Sequence, residues 1–310
     1  MTGTVAPPGY EETPVFFPAG SNTLFGILTH PTGPARDVAV TLLTGGGFMT
    51  MVEKGGWFVP LARRLAGEGY HCFRFDYHGT GESTGTVARF LLSDTFEQDV
   101  RAAMAWVESR EIRRHVLVGS CFGARAALAP APSIRGLEGL VLLTPPVRDE
   151  RPHKQNLAKP DADRSLLRAA NRLPFLRPLL GSYRVRQVVR WLFSRVYGLQ
   201  DGVERIRSRQ GSGDASASFV RPLRRLIHRG VPILILFGDE DPQYADFQRA
   251  MQGSLGRLLD GAGPLVTVRV VPGSMHGFEQ PEVQRATSEI VVEWSTRDEP
   301  TAATRMARSG

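Results

Sequence analysis

No stretch constrains this chain more than His115 to Ala127, HVLVGSCFGARAA. His115, Val116, Leu117 and Val118 favour a strand, Gly119-Ser120-Cys121-Phe122-Gly123 follows, and an Ala-rich segment then favours a helix. The order predicts a strand, a sharp turn and a helix. Two glycines bracket Cys121 at i−2 and i+2, where a side chain would strike the neighbouring strand or helix. Such a turn raises Cys121 to the end of a sheet and points the start of the helix at it. That arrangement favours an anion, and hence the thiolate, the reactive form of cysteine. The same five residues also suit a cysteine that merely packs the start of a buried helix, so the choice rests on the surrounding chain.

The surrounding chain alternates strand and helix. Val15 to Phe17 and Thr23 to Thr29 read as two short strands in a hairpin-like start. Asp37 to Leu43 is a solidly apolar strand suited to burial on both faces. It runs into Thr44-Gly45-Gly46-Gly47-Phe48, where glycines let backbone N–H groups point into a site. No Gly-Lys-Ser/Thr follows, which excludes a phosphate loop. Phe58, Leu61, Ala62 and Leu65 lie at helical spacing, and His71 to Asp76 is the next strand. Phe96, Val100, Ala103, Met104 and Val107 form one face of the helix before His115. Leu137 to Thr144 is another buried strand. The rhythm predicts a doubly wound, parallel α/β sheet with its site at the C-terminal ends of the strands.

From about 150 to 225 this rhythm stops. It resumes with strands at Pro232 to Phe237 and Leu265 to Val271 and a final helix at 281–296. His276 is the one histidine of seven placed between the last strand and that helix. Residues 1–13 read as a disordered lead-in, 14–149 and 226–296 as the core, 150–225 as an insertion, and 297–310 as a disordered tail.

Charge and cysteine content narrow the function classes. Residues 150–230 hold 18 Lys+Arg against 6 Asp+Glu, while the rest of the chain holds 20 against 25. The net charge of +7 therefore belongs to one segment, which suits an anionic partner or a solvated helical face. Its arginines lack a nucleic-acid recognition motif, so no nucleic acid is expected. Cys72 and Cys121 are the only cysteines, too few for a disulfide framework and suited to a reducing compartment. The start MTGTVAPPGYEE lacks a basic stretch followed by an apolar run, and no apolar run reaches about 18 residues, so neither a secretory leader nor a membrane span is expected. The expectation is a cytoplasmic protein with no membrane span.

The turn at 119–123 resembles the nucleophile elbow of the α/β-hydrolase superfamily, Gly-x-Ser-x-Gly, with cysteine in the place of serine. Thr44-Gly45-Gly46-Gly47 resembles the His-Gly-Gly-Gly loop that supplies half of the oxyanion hole, with threonine at its first position. The resemblance implies the N–H groups of Gly46, with Gly47 adjacent, and Phe122 as the oxyanion donors. Asp76 to Ser83 is similar to the structural Asp-x-x-Gly-x-Gly-x-Ser turn of the family, which makes His78 a turn residue. Gly238-Asp239-Glu240-Asp241-Pro242 resembles the turn carrying the acid, with Asp241 in the matching place and Asp239 second. Asp149 stands after the sixth strand, a position that some members use instead, including certain cysteine-dependent cyclases of polyketide and peptide pathways. Family histidines lie where His276 does.

The resemblance implies an α/β-hydrolase fold: an eight-stranded, mostly parallel sheet flanked by helices, with 150–225 as an inserted helical lid. It further implies a Cys121–His276–Asp241 triad, with Asp149 as the alternative acid. Phe73 to Asp76 and Gly139 to Arg148 are similar to hydrolases associated with bacterial exosortase systems, and dienelactone hydrolases resemble the chain in using a Cys-His-Asp triad. The expected activity is that of a thioesterase or esterase working through a covalent acyl-enzyme on ester or thioester substrates, including carrier-protein- or CoA-bound acyl chains. A natural-product cyclase or acyl-eliminating enzyme on the same scaffold is the second expectation, and a non-catalytic ligand-binding member the third. No metal or cofactor is expected.

Overall fold

The computed structural model describes residues 9–46, 49–87, 90–149, 214–276 and 280–297. Two of its apolar runs become strands without a wet face. In β3 (Val38–Leu43) and β7 (Ile233–Gly238) every residue is buried. Strands of this kind need cover on both sides, which is the situation of parallel strands in a doubly wound sheet. The others are β1 (Tyr10–Ala19), β2 (Asn22–Pro31), β4 (His71–Phe75), β5 (Arg114–Ser120), β6 (Leu137–Leu143) and β8 (Val266–Val271). They form one eight-stranded sheet in the order β1-β2-β4-β3-β5-β6-β7-β8. β1 and β2 pair antiparallel, as do β2 and β4, and every remaining pair is parallel.

Most of the helices cover the sheet by burying one stripe, whereas every residue of Phe122–Leu128 is buried. α1 (Phe58–Gly67) buries Phe58, Leu61, Ala62, Leu65 and Ala66. The last described helix, α7 (Pro281–Thr296), buries Val283, Val291 and Val292. Both pack into one core with Val38, Val40 and Leu42, alternate residues that share a face of β3. The indole N–H of buried Trp57, just before α1, donates to Ser288 Oγ at 2.8 Å and to the Gln284 carbonyl at 3.1 Å. A large apolar ring with a satisfied polar tip thus joins the entry of α1 to α7. α2 (Glu97–Glu108), α3 (Phe122–Leu128) and α4 (Ala217–His228) form a second group in which α3 touches both of the others. α5 (Pro242–Ala250) and α6 (Ser254–Asp260) lie between β7 and β8 in the chain.

Two boundaries differ from the sequence reading. Residues 10–13, expected to be a loose lead-in, belong to β1, which pairs with β2 from Tyr10 opposite Pro31 to Ala19 opposite Asn22. Glu12 anchors this end: it accepts from Arg74 at 2.8 Å and from Arg63 at 2.6 Å. Arg74 is buried, so the ion pair answers a charge that periodicity along residues 1–13 does not reveal. Pro14 is tolerated because β1 is an edge strand. The second difference is α4, which begins at Ala217, inside the stretch assigned to the insertion. It buries Phe219, Val220, Leu223 and Leu226 and contacts α3, so the core resumes at its first residue rather than at 226. The remainder of the expected lid, 150–213, and the tail from 298 onward lie outside the described residues.

Candidate active site

The elbow forms as the glycine spacing requires. Cys121 follows β5 with φ 48° and ψ −110°, a conformation that a non-glycine residue adopts only when its surroundings enforce it. Its N–H is bonded to the Leu143 carbonyl of β6 at 2.8 Å, and its carbonyl accepts from Ala124 N–H at 3.1 Å. A β-carbon on Gly119 would overlap the backbone of Gly123, and one on Gly123 would overlap the carbonyl oxygens of Leu43 and Thr44. Backbone therefore meets backbone on both sides of Cys121. Cys121 is partly exposed, whereas Cys72 is wholly buried in β4 and burial pushes its thiol far above the usual range.

The glycine loop after β3 reaches the elbow. Gly46 has φ +78°, and a β-carbon there would stand 2.8 Å from the Phe122 ring, so its backbone is seated on that side chain. The two residues assigned as oxyanion donors, Gly46 and Phe122, are thus brought together. Gly47 lies outside the described residues. The Phe122 ring is buried against Tyr77, Phe90 and Phe96 at centroid distances of 5.9, 5.4 and 5.2 Å. An aromatic cluster therefore backs the residue that follows Cys121.

The loops after β7 and β8 meet through Asp241. Its buried carboxylate accepts from Gly238 N–H at 2.9 Å, Ser274 Oγ at 2.8 Å and His276 N–H at 2.9 Å. A β-carbon on Gly238 would collide with the Gly273 carbonyl, which explains the glycine at the end of β7. Asp241 thereby anchors the segment that carries His276. The second acidic candidate of this turn, Asp239, accepts from Gly273 N–H at 2.8 Å in an exposed bond.

Asp149 has other partners. Arg125 of α3 reaches its carboxylate at 2.6 Å, and Ser218 and Ser216 donate to it at 2.7 and 3.1 Å. Burial alone would raise this carboxyl, but the Ser218 and Arg125 bonds hold it below the usual carboxylate range. Arg125 also donates to the carbonyls of Pro146 and Leu92, at 3.0 and 3.2 Å. The Asp-x-x-Gly-x-Gly-x-Ser turn is equally well occupied. Asp76 accepts from Met51 N–H at 2.6 Å, and Ser83 Oγ bonds the Asp76 carbonyl at 2.7 Å while receiving Phe25 N–H at 2.9 Å. His78 pairs with Asp99 at 2.7 Å beside Phe96.

Three residues of the site escaped sequence reasoning. Gln243 lies in the first turn of α5, and its amide is 3.2 Å from Nδ1 of His276. Lys54 Nζ donates to the His276 carbonyl at 2.5 Å. Glu53 is buried and accepts from Gly45 N–H at 2.6 Å. A β-carbon on Gly45 would stand 3.3 Å from Glu53 Oε1 and 3.6 Å from Cys121 Cβ, so the carboxyl and the elbow both lie against this glycine. Only position in space marks these residues; a Glu-Lys pair before two glycines carries no motif. No group of three or more His, Cys, Asp or Glu able to hold a metal ion stands together among the described residues.

Glu53 leads to a pH prediction. Burial pushes its pKa from 4.5 to about 7, against the pull of the Gly45 and Lys54 N–H groups and the Lys54 charge. A carboxyl whose folded pKa is raised binds its proton more tightly in the folded chain. The associated stability is therefore present below pH 4.5 and is lost as pH rises towards 7. Glu53→Gln removes this term. Its stability relative to the native chain is expected to improve by on the order of 3 kcal/mol between pH 4.5 and 7.5. Urea unfolding of both proteins across that range measures the difference; a constant difference refutes it.

Comparison with known proteins places this geometry. A model of the alpha/beta hydrolase family matches residues 42–286, which include the glycine loop, the elbow, Asp241 and His276. An acyl transferase of Photorhabdus luminescens is 32% identical over 90 residues, 29% of this chain and 28% of that protein. A second acyl transferase of that organism is 29% identical over 103 residues, and the match again spans only about a third of the relative. An esterase of Pyrococcus furiosus has a TM-score of 0.57 at 17% identity, covering 96% of this chain and 97% of its own. A dienelactone hydrolase of Anabaena variabilis has a TM-score of 0.54 at 16% identity, covering 92% and 97%. Likeness at such identities shows a shared fold. The family match, the sheet order and the strand–elbow–helix turn agree, and the chain belongs to the alpha/beta hydrolase family.

Proposed function

We propose that this chain is an acyl-handling enzyme in which Cys121 is the nucleophile, His276 the general base and Asp241 the acid that fixes the histidine loop. The observation that carries the reading is the elbow, where Cys121 stands at φ 48° between two backbone contacts that only glycine permits, with Gly46 seated on Phe122. His276 takes the thiol proton, the sulfur attacks the carbonyl carbon of an ester or thioester, and a C–S bond forms. The Gly46 and Phe122 N–H groups receive the oxyanion, a contribution of roughly 3 kcal/mol per donor in comparable sites. As the tetrahedral intermediate collapses, the leaving alcohol or thiol departs with the proton held by His276. Water, deprotonated by the same ring, then releases the acid and restores the thiol.

Asp241 is preferred over Asp149 because its carboxylate binds the His276 backbone, whereas that of Asp149 is committed to Arg125 and two serines. A second reading replaces water by an acceptor hydroxyl or amine, and the relatives named as acyl transferases favour it. A thioester intermediate supports it chemically, being more reactive towards amines than an oxygen ester. Carrier-protein- or CoA-bound chains remain the proposed substrates, and a cytoplasmic location the proposed setting. No helix among the described residues is long and apolar enough to cross a membrane.

Intact-protein mass spectrometry after incubation with a panel of acyl thioesters tests the reading. An acyl adduct on Cys121 that decays to free acid supports hydrolysis, and decay only with an added acceptor supports transfer. No adduct on Cys121 from any member of the panel, with no product formed, defeats both.

A further inference from the structure

A glycine loop has no side chains with which to hold itself, yet an oxyanion hole works only if its donors are fixed before the charge develops. The fixing group here is the Glu53 carboxylate, which accepts Gly45 N–H at 2.6 Å, one residue before the assigned donor Gly46. Its other oxygen accepts Lys54 N–H at 3.2 Å, and the Lys54 ammonium extends to the His276 carbonyl at 2.5 Å. Adjacent residues of one turn therefore grip the two loops that must meet at Cys121. The turn is itself held: Glu53 has φ 61° and Gly55 and Gly56 have φ 63° and 72°, Glu53 N–H bonds the Thr50 carbonyl at 2.9 Å, and Asp76 holds Met51 N–H.

We propose that the Glu53–Lys54 turn is the positioning device of the site, Glu53 holding the oxyanion loop through Gly45 N–H and Lys54 holding the histidine loop through the His276 carbonyl. The proposal rests on the reading of Cys121 and His276 given above. Around Glu53 stand Lys54 on its own turn, Tyr77 at the end of β4, and Cys121 on the elbow, while Asp76 holds the same loop at Met51. Its pKa of about 7 means that the hold on Gly45 changes from a charged to a neutral hydrogen bond within the neutral range.

The full chain, Glu53→Ala, Glu53→Gln and Lys54→Met are compared in two ways. Hydrogen exchange reads the peptides covering residues 44–46 and 273–276, and kcat and KM are measured with a p-nitrophenyl acyl ester from pH 5.5 to 9. Glu53→Ala is expected to speed exchange at 44–46, and Lys54→Met at 273–276. Each lowers kcat by about 10- to 100-fold with little change in KM. Glu53→Gln, which retains an acceptor for Gly45 N–H, restores most of kcat near pH 8 and shows a shallower acid limb than the native chain. Exchange unchanged in both truncations, kcat of Glu53→Ala within twofold of native, or equal losses in the Ala and Gln variants would each overturn the proposal. Exchange reports the hold even in an inert protein, so a native chain that fails to turn over ester defeats the catalytic reading and leaves this one to be judged by exchange alone.

Discussion

Replacing Cys121 by alanine is expected to lower acyl-ester turnover by about 10⁴-fold or more, and to abolish any trapped acyl adduct. The expected size follows from the division of labour at the elbow. If the sulfur forms the covalent intermediate, nothing else in the turn can replace it. The residual rate would come from the Gly46 and Phe122 N–H groups and from binding alone. Alanine fits the site without strain beyond that already present, since the backbone at 121 is held by the Leu143 and Ala124 hydrogen bonds. Circular dichroism and melting should therefore match the native chain, which separates a chemical loss from a folding one. A Cys121→Ala protein that turns over ester at the native rate would end the case for a cysteine enzyme and leave the family assignment standing. Cys121→Ser is the informative companion: the hydroxyl occupies the same place but is far less acidic than the thiol, so a large loss in this variant isolates thiol chemistry from position.

The largest effect on stability is expected at Arg125. This side chain is buried at 2% exposure, and its guanidinium bonds two carbonyls, two serines and Asp149 with its carbon centre 5.7 Å from the Phe219 ring. Burial lowers its pKa, and the Asp149 contact offsets part of that cost. Arg125→Met keeps most of the apolar stem but removes the guanidinium donor from the Pro146 and Leu92 carbonyls and leaves the Asp149 carboxylate with Ser216 and Ser218 alone. Removing one partner of such a network costs about 3 kcal/mol or more. For a chain of this size that lowers the melting temperature by roughly 5 to 10 °C. Differential scanning calorimetry checks it, and a shift within 1 °C would show that the network is energetically idle. The same guanidinium joins Asp149 to Ser216 and Ser218, residues far apart in the chain.

These two residues illustrate what can be read along a chain. Cys121 was identifiable because its environment is local: two glycines, a strand before and a helix after lie within 13 residues. Arg125 looked like any arginine in an Ala-rich helix, since its partners come from residues 24, 91 and 93 positions away. Glu53 is one of 31 acidic residues, and nothing near it in sequence signals burial or a Gly45 partner. The strand at residues 10–13 is hidden in the sequence for the same reason, as the Arg74 that gives Glu12 its role lies 62 residues on.

From sequence alone came the element types, the doubly wound sheet and the elbow, because hydrophobic period and glycine spacing are properties of neighbouring residues. The placement of β4 between β2 and β3, the joining of the Asp241 and His276 loops, and the Glu53, Lys54 and Arg125 contacts were decided only by the tertiary structure. These are hydrogen bonds and charge pairings between groups that hydrophobic period and glycine spacing do not connect, and the burial that makes them necessary is a property of the assembled fold.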